Sequence, residues 1–148
     1  MATRSAIAVT HGDIVKGVYC HWDGYIDHNG RILLEHYNSA KANNLVALGD
    51  ISSLGAEIGE KHQFGVNDEL VKSNNWTTFY GRDRGETGTE WHVFKDAQEF
   101  IDYFDGCGCE YFYLIHDGIW YVSQYGRAWE RLDEAVQAQN DVNAMQAA

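Results

Sequence analysis

A chain of 148 residues is one domain's worth of polypeptide, long enough to bury a single sizeable core. With 22 acidic side chains against 11 Lys and Arg, its formal charge of −11 opposes nonspecific binding to nucleic acid, which needs a surplus of cations on some face. Three cysteines, an odd number, argue against a secreted disulfide framework, and no apolar run is long enough to cross a bilayer. The start Met1-Ala2-Thr3-Arg4 lacks the apolar stretch of a signal peptide, so a cytoplasmic chain with reduced thiols and no membrane contact is expected.

Read in chain order, Ala6, Ala8 and Thr10 alternate with Ile7 and Val9 as strand residues do, and Ile14 to Cys20 continues the pattern beyond the turn His11-Gly12-Asp13. A β-hairpin is predicted. His28-Asn29-Gly30 marks a break, after which Ile32, Leu33, His36 and Tyr37, then Leu45, Val46 and Leu48, recur at helical spacing. Asp50-Ile51-Ser52-Ser53-Leu54-Gly55 reads as a capped turn, and residues 55–75 as a long connection covering part of the core and bordering a site.

The runs 76–80 and 90–94 are β-rich and predict a hairpin with a long Arg- and Gly-rich tip. Asp96 with Glu99 three residues on is a capping box for a helix carrying Phe100, Ile101 and Phe104, which Gly106 ends. Asp117-Gly118 between two aromatic and β-branched runs, Tyr111 to Ile115 and Ile119 to Tyr125, is the strongest hairpin signal in the chain. Helical composition from Trp129 to Val136 precedes a small, polar stretch expected to fray. The elements define an α+β fold: an antiparallel sheet built from hairpins and packed by helices on one face, one domain over residues 1–136 with a frayed tail at 137–148.

Familiar catalytic signatures are absent. The chain has no Gly-x-Ser-x-Gly elbow, phosphate-binding loop, dinucleotide fingerprint or His-Glu-x-x-His run, so no catalytic residue and no cofactor is assigned. Seven histidines and three cysteines invite a metal, but Cys20 and His21 are adjacent and point to opposite faces of a strand, while Cys107-Gly108-Cys109 is too tight for a zinc ribbon. No metal site is expected.

Two segments suit recognition better than packing. The first is Cys20-His21-Trp22-Asp23-Gly24-Tyr25 and the second Tyr80-Gly81-Arg82-Asp83-Arg84-Gly85-Glu86-Thr87. In an extended backbone Arg82 and Arg84 would project to one side as a double fork for a phosphate or carboxylate, and the intervening glycines would let backbone N–H groups approach an anion. Trp22, Tyr25, Tyr80 and Trp91 offer planes for a base or another planar ring. The candidate binding set is therefore His21, Trp22, Asp23, Tyr25, Tyr80, Arg82, Asp83, Arg84, Glu86 and Thr87. Two other readings stay open: both segments are ordinary polar turns whose aromatics plug the core, or the arginines pair with Asp83 and Glu86 and lock the loop.

These segments, with His28-Asn29-Gly30, Leu33-Leu34-Glu35-His36-Tyr37 and Gly49-Asp50-Ile51-Ser52-Ser53-Leu54-Gly55, resemble a family of small, acidic proteins of bacteriophages, prophages and mobile elements. The resemblance runs through most of residues 4–125, departs at Cys107-Gly108-Cys109 and the C-terminal tail, and brings no activity or catalytic residues with it. It implies a phage or mobile-element origin, and because small phage proteins frequently act on host processes or defences, a counter-defence role in the cytoplasm of an infected bacterial host is expected. The expected function is non-enzymatic sequestration of a nucleotide-type immune signal, with Arg82 and Arg84 on phosphates and the aromatics against the base. The alternative is an acidic inhibitor of a host nuclease or nucleic-acid-binding effector, in the manner of an anti-CRISPR protein or a DNA mimic. The partner is thus a nucleotide-type small molecule or a host defence protein, with a homo-oligomer possible in either case.

Overall fold

In a computed structural model, which describes residues 2–63, 65 and 68–147, the chain forms one mixed sheet with helices on both faces. The predicted first hairpin is β1 (Ser5–His11) and β2 (Ile14–Cys20), antiparallel in register from Ser5 opposite Cys20 to His11 opposite Ile14. A π-helical turn at Ile26–Gly30 runs directly into α1 (Arg31–His36), and α2 (Ser39–Ala47) follows, capped by the Asn38 side chain on the Lys41 N–H. Next come β3 (Ile51–Ser53), α3 (Asp68–Asn74), β4 (Thr78–Phe79) and β5 (His92–Phe94). The remaining elements are α4 (Ala97–Asp105), β6 (Tyr111–His116), β7 (Ile119–Gln124), β8 (Glu130–Arg131) and α5 (Leu132–Ala147).

The strand order is β4-β3-β2-β1-β6-β7-β8, with β5 paired to the other end of β2. The α+β class holds, but the sheet is not purely antiparallel: β1 pairs parallel with β6, and β2 parallel with β3. Nor do the helices keep to one face. Alternation along β1 sends Ile7 and Val9 to a layer with Leu33, Leu45, Val46, Leu132 and Val136, and sends Ala6 and Ala8 to a second layer with Phe100, Ile101 and Phe104 of α4. Small alanines on that side leave room for the phenylalanine rings. Both faces of β1 are therefore buried, as suits a central strand.

Local signals survive intact. Asp117 and Gly118 both take positive φ, as a type I′ turn requires, and join β6 to β7. Asp96 caps α4 by accepting the Glu99 N–H at 2.9 Å, and Gly106 closes it. Other expectations change. The runs 76–80 and 90–94 do not pair with each other: β4 joins β3, and β5 joins β2. Asp50 stands between them, its C=O accepting the Tyr80 N–H at 3.2 Å and its N–H donating to the Thr89 C=O at 2.8 Å. The turn expected at 50–55 accordingly contains strand β3. Residues 137–147, expected to fray, continue α5, whose outer half is tied down by polar groups: Arg31 donates to Asn140, and Asn143 donates to Asp27. Among the described residues no helix is long and apolar enough to cross a membrane.

Candidate functional site

The first motif leaves β2 and turns over a buried polar cluster. His21 and Trp22 donate their N–H groups to the Ile51 and Ser52 carbonyls, extending the β2–β3 pairing. Asp23 then adopts φ 56°, and Gly24 packs so closely that a Cβ there would lie 2.7 Å from the Ser5 Cβ. The wholly buried Asn29 donates from Nδ2 to the Trp22 carbonyl (3.2 Å) and to Ser5 Oγ (3.3 Å), while its N–H reaches the Asp23 carbonyl. The buried Tyr113 hydroxyl donates to the Gly24 carbonyl at 2.6 Å. Nearly every backbone group of the turn is fixed from below, and two rings are left facing solvent: Trp22, 45% exposed, and Tyr25, 40% exposed.

The neighbours of those rings are polar but quiet. Cys20 points inward, where burial pushes its thiol up to about 12, so it is a packed group and not a reactive thiolate. His21 points the other way and meets the Tyr19 hydroxyl at 2.7 Å. Burial, reinforced by the Arg4 and Arg84 charges, holds His21 below the usual histidine range. Cys107 is exposed and Cys109 buried, and burial raises both thiols. Among the described residues no group of three or more His, Cys, Asp or Glu side chains is placed to hold a metal ion.

The second motif turns Arg82 and Asp83 inward. Its backbone turns at once after β4, so Arg82 and Arg84 do not form the double fork that an extended chain would give. Arg82 folds back over the Phe79 ring and donates to Asp83 Oδ1 (2.9 Å), the Gly59 carbonyl (3.1 Å) and the Thr77 carbonyl (2.9 Å). Asp83, its side chain wholly buried, also accepts the N–H groups of Phe79 (2.8 Å) and His62 (3.0 Å). Arg84 pairs with Glu86 at 3.1 Å and lies over the Tyr80 ring, while Thr87 is exposed. Burial raises the Tyr80 hydroxyl, and its hydrogen bond to Ser52 partly offsets that rise. Both arginines thus pair as the loop-locking alternative has it, Arg82 with the buried Asp83 and Arg84 with the half-exposed Glu86.

Both motifs flank β3, and the first borders two clefts. A cleft of about 250 Å³ lies between Trp22 and Lys72, over Ser52, Ser53, His62 and Thr78. A second cleft, about 610 Å³, shares Ser53, Val71 and Lys72 with it and extends past Asp23, His28 and Trp76. The smaller volume falls below the usual range for small-ligand sites, about 300–1,000 Å³, and the larger in its middle. The floor is firm: His62 meets the Glu60 carbonyl through Nδ1 at 2.9 Å and Thr78 Oγ1 through Nε2 at 3.0 Å. Among the described residues that line the smaller cleft none is a carboxylate, and Asp83 lies buried beside His62. Lys72 is the charged side chain among the described residues of its wall.

Of the predicted residues, Trp22 lines the smaller cleft, Asp23 the larger, and Tyr25 stands beside them against His28; the Tyr80 to Thr87 segment lines neither. None of Ser52, Ser53, His62, Lys72, Trp76 and Thr78 is in the predicted binding set: Ser52 and Ser53 belong to the 49–55 motif, Trp76 and Thr78 to the β-rich run 76–80, and His62 and Lys72 to the 55–75 connection expected to border a site. Comparison with protein families, curated proteins and solved structures finds no match to this chain.

Proposed function

We propose that this chain is a phage-derived counter-defence protein that sequesters a nucleotide-type immune signal, and that the ligand lies in the clefts beside β3. The observation that carries the reading is the pairing of a pre-set Trp22 plane with Lys72 across a cleft lined by the hydroxyls of Ser52, Ser53 and Thr78. A flat base stacks on the ring, phosphate oxygens meet the ammonium, and the cost of ordering the turn is already met in the fold. Arg82 is not the phosphate grip in this reading, because its guanidinium already serves three acceptors.

Purification of the chain from phage-infected cells, followed by denaturation and mass spectrometry of the released small molecules, tests it. A stoichiometric nucleotide is expected. Recovery of a host nuclease or other nucleic-acid-binding protein with no small molecule would instead favour an acidic inhibitor. That second reading has one observation behind it: Asp96, Glu99, Asp102 and Asp105 recur every third residue along the solvent side of α4, about 4.5 Å apart along its axis.

A further inference from the structure

The two clefts are adjoining halves of one groove. Each has its own indole, Trp22 in the smaller and Trp76 in the larger, and the wall they share carries Lys72 and Ser53. Trp76 is held by its surroundings: its N–H donates to the Val71 carbonyl at 3.0 Å and its ring lies 5.9 Å from that of His62. Charge divides the groove further. Asp23 and His28 line the larger half, where a carboxylate repels phosphate and accepts hydrogen bonds from ribose hydroxyls or an exocyclic amine. The ammonium sits at the junction.

A mononucleotide has one base and uses one indole. From this arrangement we infer that the ligand class is a dinucleotide, with one base on Trp22, the other on Trp76, and a linking phosphate at Lys72. The inference rests on the nucleotide-binding reading above and narrows it. Each base–aromatic stack is worth about 5- to 150-fold in affinity, so a second base engaged on its own ring tightens binding by a factor in that range.

The experiment measures equilibrium binding of AMP, GMP, pApA, pGpG, cyclic di-AMP and cyclic di-GMP to the full chain by calorimetry. At least one dinucleotide is expected to bind about 5- to 150-fold tighter than its mononucleotide. Trp22→Ala, a change at an exposed ring, is expected to bring that dinucleotide down to the affinity of the mononucleotide, with the melting temperature checked alongside. Equal binding of mononucleotide and dinucleotide by the wild-type chain overturns the two-base assignment and leaves nucleotide sequestration standing, as does a dinucleotide preference that survives in Trp22→Ala. Binding of none of the six overturns both.

Discussion

The two motifs are made of similar residues and use them in opposite directions. In Trp22 to Tyr25 the anchoring groups belong to other parts of the chain, Asn29, Tyr113 and Thr3, and they hold backbone atoms so that the motif's own rings face outward. In Tyr80 to Glu86 the motif's own side chains do the anchoring: Arg82 and Asp83 are spent on Gly59, Thr77, Phe79 and His62. A surface segment rich in aromatics and charges keeps its side chains turned outward here where other residues satisfy its backbone. Where the charged groups themselves supply the hydrogen bonds, they are part of the frame.

The sharpest way to break this comparison is to remove the inward charge. Arg82→Ala leaves the buried Asp83 carboxylate without its cation, and loss of one partner of a buried pair typically costs about 3–5 kcal/mol. Urea unfolding should show a lowered midpoint, and a change below about 1 kcal/mol would return Arg82 to the candidate binding groups. Asn29→Ala withdraws the support beneath Trp22 and leaves buried acceptors unpaired, for about 1–3 kcal/mol of stability. It should also weaken nucleotide binding although Asn29 lines neither cleft. Unaltered affinity in a folded variant would show that the turn does not need pre-setting.

Smaller effects sharpen the contrast. Arg84 and Glu86 form a half-exposed pair of a kind worth roughly 0–1 kcal/mol, so Arg84→Ala should barely move the melting temperature, unlike its neighbour two residues earlier. The pH dependence of His21 is the finest test. Its pKa is lowered in the fold, so the unfolded chain takes up the proton first. Its contribution is whole above the unfolded value of about 6.5 and is lost as pH falls through the lower folded value. His21→Gln should therefore flatten the loss of stability below about pH 6.5 relative to wild type, and identical slopes would remove the assigned shift.

What was legible in the chain is what neighbours in sequence decide. Gly12-Asp13 and Asp117-Gly118 choose their turns, Asp96 and Glu99 choose a helix start, and alternation from Ala6 to Val9 sorts residues between two faces. The failures are partnerships made at a distance. Nothing within 76–94 reports that Asp50 will separate its two β-rich halves, and nothing in Gln137 to Ala147 reports that Arg31 and Asp27 will dock that stretch through amides instead of apolar side chains. The site divides similarly. Trp22 was conspicuous because it is a large ring in a turn, whereas Ser53, Lys72 and Thr78 are commonplace residues that matter through where α3 and β4 bring them.

The parallel pairing of β1 with β6 also sets an order of events in time. β1 and β2 can close into a hairpin within microseconds of being made, but the free side of β1 at residues 5–9 must wait for residues 111–115, about a hundred positions later. At roughly 5–20 residues per second, a ribosome leaves that central edge unpaired for roughly 5–20 s. Loop closure across such a span is paid before the pairing rewards it, so the sheet is completed late and slowly. A nascent chain halted short of β6 would present an apolar strand edge to the cell, and that interval is when this protein is most exposed to aggregation and proteolysis.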